Sequence, residues 1–172
     1  RERDREVVAV AAPHTERTVG AVAEQAKWAA AAVSPPPAAE TVEVREERGE
    51  EPVVQAKTGL LLDPYFSGSK IGWALKNWPQ LKDAGEHLAV GTVEGYLVYR
   101  LTGGHHISDA SNASRTALMA IGSGGWDDGL TDLFGVPREI LPEITDCAGD
   151  LGVTLPEWFG AAIPISGMAG DQ

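Results

Sequence analysis

The chain has 172 residues, of which 43% are hydrophobic and 23% are charged, and it carries a net charge of −11 at pH 7. This length and balance are typical of one soluble domain of ordinary size with a buried core. The negative charge, without a cluster of basic residues, excludes nucleic acid and anionic membrane surfaces as partners. No apolar run approaches the roughly 18 residues of a membrane helix, so no membrane span is predicted.

The only cysteine in the sequence is Cys147. A single cysteine excludes an internal disulfide and favours a reducing, cytoplasmic location. We interpret Cys147 as a small buried hydrophobic residue rather than as a reactive thiol.

Residues 1–56 differ in composition from the rest of the chain. They contain an Ala-rich run, three consecutive prolines at 35–37 and a dense group of charges at 41–51. This mixture predicts a strand over 6–11 and a helix over 21–33, followed by a break at the prolines. Residues 57–172 have regular helix and strand signals, so the sequence divides into two segments, 1–56 and 57–172.

Two longer helices are predicted in the second segment. The first begins at Ser67 or Ser69, either of which can cap it, and Pro79 interrupts it. The second begins after Thr92 and ends at Gly103. Its apolar stripe consists of Val93, Tyr96, Leu97 and Leu101.

Shorter elements follow these helices. The letters HHIS predict a strand, DASNAS a polar turn, and WDD the start of a short helix. Pro137 is well placed as the first residue of another helix. Helices mixed with short strands favour an α/β or α+β layered fold.

Two segments carry polar side chains suited to a small ligand. In DPYFSG, Tyr65 can orient a polyol hydroxyl, although from this segment alone we favour a packed aromatic pair with Phe66 in an ordinary turn. In IPISGMAGDQ, two glycines, Gly167 and Gly170, permit a positive φ and a close approach to a ligand. They precede Asp171 and Gln172, a carboxylate and a carboxamide that could hold hydroxyl groups, although Asp171 could also simply cap a helix.

Two other polar groups have simpler structural explanations. His105 and His106 have no carboxylate or thiol at a ligand-like spacing, so they indicate a turn rather than a metal site. Asn112, Ser114 and Arg115 in SDASNASRT could bind a phosphate. We favour a side-chain-stabilised turn in which Arg115 pairs with a nearby carboxylate.

Five segments together resemble the glycerol kinases of the FGGY family of carbohydrate kinases. They are TGLLLDPYFSGSKIGWAL, GTVEGYLVYRLTGG, SDASNASRTALMAI, WDDGLTDLFGVPREILPEI and IPISGMAGDQ. The resemblance runs from residue 57 to residue 172, with the segments in the order and spacing of the family.

The resemblance implies an α/β fold that forms part of an actin-like ATPase domain of the ribonuclease-H-like type, here incomplete. It also implies phosphorylation of glycerol to glycerol 3-phosphate with ATP and Mg²⁺. Asp171 would be the catalytic base and would bind substrate, and Tyr65 and Gln172 would contact glycerol. Phosphoryl transfer depends mainly on alignment and charge stabilisation, so this base is one contributor among several.

The sequence also departs from the family pattern. The phosphate loop and the ATP-binding lobe of the family are absent, so no nucleotide-binding or metal-binding residue is assigned. An Arg-Glu pair of the family reads here as Glu16 followed by Arg17, and we hypothesise that residues 11–50 are translated in a shifted frame. The chain is therefore expected to be an inactive fragment of a longer parent protein, which the resemblance implies to be a homo-oligomer.

Two alternatives to a glycerol kinase stay open. One is another FGGY sugar kinase, acting on xylulose or gluconate. The other is a non-catalytic remnant that binds a polyol or a partner chain. The expected partners are glycerol and ATP, with no nucleic acid.

Overall fold

The computed structural model describes residues 8–11, 30–31, 42, 46–79, 81 and 88–170. Within these ranges the chain forms seven short strands and six α-helices. The strands are β1 (Val8–Ala11), β2 (Ala30–Ala31), β3 (Ala89–Gly91), β4 (Ile107–Asp109), β5 (Met119–Ala120), β6 (Gly125–Trp126) and β7 (Glu143–Thr145). The helices are α1 (Glu51–Thr58), α2 (Ser67–Asn77), α3 (Val93–Thr102), α4 (Ala110–Ala113), α5 (Asp128–Phe134) and α6 (Pro156–Phe159).

The strands form three small sheets. One has the order β2-β1-β3 with antiparallel pairing, a second is the parallel pair β4 and β7, and the third is the antiparallel hairpin of β5 and β6. Strand β1 lies inside the strand predicted over 6–11. The helix predicted over 21–33 is wrong at residues 30–31, which pair with β1. Alanine has the highest helix propensity, but propensity is a weak determinant of structure, and pairing with a neighbouring strand overrides it here.

Helices α1, α2 and α5 surround the larger hydrophobic core. Its largest fully buried apolar side chains are Leu118, Leu130 and Val54, and Phe134 and Ile71 pack with them. Helix α2 confirms the helix predicted after the DPYFSG turn. The predicted cap does not form, since Phe66 is the N-cap residue and makes no side-chain cap bond. Instead, the Ser69 hydroxyl donates to the Phe66 carbonyl oxygen at 3.1 Å.

Helix α3 confirms the second predicted helix, and Gly103 ends it with φ 78°. The predicted apolar stripe is not its buried side, since Val93 is 42% exposed and Leu97 50% exposed. The helix instead packs through Gly95, where a Cβ would lie 2.9 Å from the carbonyl oxygen of Ile107 in β4. A helix can approach a strand this closely only where it lacks a side chain, so Gly95 decides which face is buried.

The segment 147–154 runs antiparallel to the segment 163–168. Backbone hydrogen bonds join them, including Leu151 N to Ile165 O at 3.0 Å and Met168 N to Cys147 O at 2.9 Å. Met168 is buried against Val98 and Leu151 in a second, smaller core. Two isolated bridges, Ala148 with Gly167 and Val153 with Pro164, thus anchor the chain that leads to Gly170.

Candidate functional site

Tyr65 lies in a tight turn just before α2. Its backbone N–H donates to Asp63 Oδ1 at 2.7 Å, and its ring meets that of Phe66 edge to face, with centroids 5.4 Å apart. The ring is half-buried while the Phe66 ring is buried. The aromatic pair and the exposed edge of Tyr65 therefore coexist, because Phe66 anchors the turn in the core.

Lys70 fixes the backbone of this turn. Its side chain is only 2% exposed, and its Nζ donates to the carbonyl oxygen of Tyr65 at 2.5 Å. The same ammonium lies 5.5 Å from the centroid of the Tyr65 ring, within the range of a cation–π interaction. One buried cation from α2 thus contacts both the backbone and the ring of Tyr65.

A second polar cluster is built around Asp109, the last residue of β4. Its Oδ2 accepts hydrogen bonds from Ser111 N at 2.8 Å and Asn112 N at 3.3 Å, so its side chain caps α4. Its Oδ1 accepts from Asn112 Nδ2 at 2.6 Å. The hydroxyl of Ser111 and the thiol of Cys147 also donate to Oδ2. A carboxylate with this many donors forms an ordered local structure without a bound ligand.

The Asp109 side chain is fully buried, with 0% exposure. Burial by itself raises the pKa of the carboxyl group, but hydrogen bonds from Asn112, Ser111 and Cys147 outweigh it and hold the pKa below its usual value. Asp109 is therefore ionised at neutral pH. Its charge is stabilised by hydrogen bonds that favour the carboxylate.

The cluster reaches the chain that leads to Asp171. The backbone N–H of Gly170 donates to Ser111 Oγ at 2.8 Å. A Cβ at Gly170 would lie 3.3 Å from Asn112 Oδ1 and 3.5 Å from Ser111 Oγ. Gly170 therefore packs directly on the Asp109 cluster.

The segment that starts at Asp109 contacts the turn containing Tyr65 at its other end. After α4 the chain continues as a 3₁₀ helix over Ser114–Thr116. The Arg115 guanidinium lies 5.1 Å from the centroid of the Phe66 ring, and a Cβ at Gly68 would lie 2.9 Å from Thr116 O. Residues 109–116 thus touch both segments in which the sequence predicts ligand-binding side chains.

The structure describes Tyr65, whereas Asp171 and Gln172 lie outside the described residues. Neither Gly167 nor Gly170 adopts the positive φ that a glycine permits. Gly170 has little room for a side chain, since a Cβ there would lie 3.3 Å from Asn112 Oδ1. The backbone at Gly170 therefore approaches the side chains of Asn112 and Ser111 closely.

Other predictions from the sequence need correction. Cys147 is exposed rather than buried, and its thiol bonds to Asp109 at 3.3 Å. The turn predicted at DASNAS is mostly helix α4. Arg115 lies over the Phe66 ring, whereas we expected it to pair with a carboxylate. His106 bonds through Nε2 to the Val90 carbonyl oxygen at 2.8 Å.

Sequence reasoning did not single out Asp109, Ser111 or Lys70. The motif Asp-x-Ser-Asn directly after a strand could have indicated Asp109, since such a motif favours an aspartate that caps a helix. Ser111 acts through a contact with Gly170, 59 residues away, which spacing along the sequence does not reveal, and Lys70 acts on Tyr65, five residues before it.

No three His, Cys, Asp or Glu side chains converge on a possible metal position within the described ranges. Helices long and apolar enough to cross a membrane are also not found in that part of the chain.

Comparison with known proteins places this fold. The structure of Plasmodium falciparum glycerol kinase with ADP superposes with a TM-score of 0.82 and 28% identity, over 98% of this chain and 33% of that one. Xylulose kinase from Rhodospirillum rubrum shares the fold, with a TM-score of 0.69 and 18% identity, over 92% of this chain and 32% of that one. The α/β fold is therefore that of a sugar-kinase domain of the actin-like ATPase type, of which this chain covers a part.

The sequence comparisons agree with the fold. Residues 9–172 match the FGGY family of carbohydrate kinases, N-terminal domain, and the chain belongs to this family. Glycerol kinase of Methylobacterium nodulans is 57% identical over 131 residues, covering 74% of this chain and 26% of that protein. Glycerol kinase of Xanthobacter autotrophicus is 53% identical over 137 residues, covering 78% of this chain and 28% of that protein. The chain thus spans about a quarter of the length of these relatives.

Proposed function

We propose that the parent protein, the full-length protein containing this chain, transfers the γ-phosphoryl group of ATP to glycerol and forms glycerol 3-phosphate. The observation that carries this proposal is the element 109–116, which contacts Gly170 at one end and Phe66 at the other. Ser111 and Arg115 are four residues apart, about 6 Å along a helix axis. We propose that Asp171, which follows Gly170, and Tyr65, which precedes Phe66, meet one three-carbon polyol beside this element.

Each predicted residue has a role that its chemistry permits. Asp171 would accept the proton of the attacking glycerol hydroxyl. The oxygen of that hydroxyl would then attack the γ-phosphorus. Gln172 and Tyr65 would hold other hydroxyl groups of glycerol, since both side chains can donate and accept. Lys70 would hold Tyr65 in place by donating a hydrogen bond to the Tyr65 carbonyl oxygen.

ATP with Mg²⁺ is the phosphoryl donor that this chemistry requires. Within the described ranges no group of ligands for the metal is found. Because the chain spans about a quarter of the length of its glycerol kinase relatives, we propose that other parts of the parent protein supply most of the nucleotide and metal site, and that the 172-residue chain alone is inactive. We also propose that the parent is a cytoplasmic homo-oligomer, and size-exclusion chromatography with light scattering tests the assembly.

The test is a substrate panel on the purified parent protein with ATP and Mg²⁺. Glycerol should give the highest kcat/KM, above xylulose and gluconate. A preference for either of the other two would replace glycerol kinase by another FGGY sugar kinase, and no turnover with any of them would favour a non-catalytic protein.

The roles of the two site segments are tested by substitution. Asp171→Asn should lower kcat by about 10²- to 10⁴-fold, the usual worth of a general base. Asp132→Asn is the matched control, since Asp132 is exposed on α5. Full activity of Asp171→Asn would refute its role as the base.

A further inference from the structure

A chain of hydrogen bonds links the buried carboxylate of Asp109 to the backbone of Gly170. Ser111 Oγ is the middle member, because it contacts Asp109 Oδ2 and accepts from Gly170 N at 2.8 Å. A hydroxyl has one proton, and an ionised carboxylate can only accept. The Ser111 proton therefore points to Asp109, and its lone pairs are left for the Gly170 amide.

Burial and charge give this arrangement its directionality. Asp109 is fully buried and ionised, so the hydroxyl has a fixed acceptor and does not rotate towards Gly170. A hydrogen bond to a charged group also polarises the hydroxyl, which strengthens its oxygen as an acceptor for the next bond. Asn112 is held by the same carboxylate, and its Oδ1 faces Gly170.

The contact lies next to the proposed base. In the described part of the chain, the bond from Gly170 to Ser111 is the hydrogen bond closest in sequence to Asp171. Consecutive Cα atoms are about 3.8 Å apart, so a displacement of Gly170 is passed on to Asp171. The preceding anchor is Met168, whose N–H donates to Cys147 O.

We propose that Ser111, oriented by Asp109, is a positioning residue for phosphoryl transfer: it sets the position of Asp171 through the Gly170 amide. This inference rests on the proposed function, in which Asp171 is the base. Ser111 does not contact the substrate itself. Its loss should therefore reduce turnover much more than the affinity for glycerol.

The first test is Ser111→Ala in the parent protein. We expect kcat to fall by about 10- to 100-fold, since a misplacement of about 1 Å can cost that much, with the KM for glycerol within about threefold. Ser111→Thr keeps the hydroxyl and should restore most of kcat. Ser123→Ala is the matched control, because Ser123 is exposed and its hydroxyl donates to Ala120 O in the β5–β6 hairpin.

The second test separates positioning from a loss of structure. If Ser111 acts through Asp171, the double variant Ser111→Ala/Asp171→Asn should be no slower than Asp171→Asn alone. Two effects that multiply would show that Ser111 acts independently of the base and would overturn the proposal. If Ser111→Ala does not fold, Ser111→Cys retains the size with a weaker hydrogen-bonding group and should lower kcat in the same direction.

The outcomes also separate this inference from the proposed function. If the parent prefers another polyol, the glycerol assignment fails, and the same variants are compared on that polyol. Unchanged kcat in Ser111→Ala, alongside a strongly impaired Asp171→Asn, would refute only the positioning role. Full activity of Asp171→Asn would refute both.

Discussion

Gly72 of α2 rests directly on the backbone of Phe134 at the end of α5. A Cβ at Gly72 would lie 2.1 Å from the Phe134 carbonyl oxygen, far inside van der Waals contact. The spacing between these helices is therefore set by the missing side chain. Since α2 begins right after the Tyr65 turn, this contact also places the turn against the core.

The first prediction concerns Gly72→Ala. Alanine in a helix gains about 1 kcal/mol over glycine, but overpacking costs about 1 to 3 kcal/mol, and here the obstacle is rigid backbone. We expect a net destabilisation of up to about 2 kcal/mol, measured by thermal unfolding of the parent protein. Gly122→Ala is the control, because a Cβ there meets nothing within 4 Å. Equal melting temperatures for the two variants would contradict this packing.

A second prediction concerns Leu130, whose side chain is fully buried in the main core. Leu130→Ala should reduce the free energy of unfolding by about 2 to 5 kcal/mol, because it removes apolar contacts and leaves a cavity. Leu97→Ala makes the same change at a half-exposed position and should stay within about 0.5 kcal/mol of the wild type. Denaturant unfolding measures both, and similar losses would mean that α3 is buried on its Leu97 side.

A third prediction follows from His106. Burial lowers its pKa below the usual 6.5, although the hydrogen bond with Val90 O opposes this effect. On acidification the unfolded chain binds a proton at a higher pH than the folded chain does, so stability should fall as the pH drops from 6.5 towards the folded pKa.

The measurement for His106 is the pH dependence of the unfolding midpoint. His106→Gln should flatten the slope just below pH 6.5, and His105→Gln is the matched exposed control. A wild-type midpoint that rises on acidification through this window would show that the folded state prefers the charged imidazole.

A fourth prediction concerns Asp109 in acid. Its pKa lies below the usual 3.8, so the stability that it contributes is present above pH 3.8 and is lost as the pH falls through the folded pKa. Asp109→Asn should therefore be destabilised at neutral pH and lose less on further acidification than the wild type. Parallel acid unfolding curves for the two proteins would contradict this assignment.

Local signals predicted the longer helices of the second segment, because prolines and glycines act within a few positions, although the predicted serine cap of α2 does not form. The glycine stop at Gly103 and the Asp127 cap, which accepts from Leu130 N at 2.9 Å, are both observed. The buried side of α3 was not predictable, since it depends on the approach of Gly95 to β4. The alanines at 30–31 show the same limit, because a partner strand decides their conformation.

The candidate site was predictable only in part. Tyr65 was identified from its motif, and its turn is as compact as the sequence indicates. The roles of Asp171 and Gln172 stay predictions, as does the division between residues 56 and 57. The contacts of Ser111 and Lys70 join positions that are 59 and 5 residues apart, and neither could be predicted without the fold.

Because Ser111 and Arg115 sit on one short stretch of continuous helical turns, Gly170 and Phe66 share a single mechanical support. A tilt of that helical stretch would therefore move the Gly170 segment and the Phe66 turn together and leave their separation unchanged. Remote substitutions that tilt this stretch should change the affinity for the acceptor and the turnover together. Substitutions confined to the Gly170 segment or to the Phe66 turn should change one of these quantities without the other.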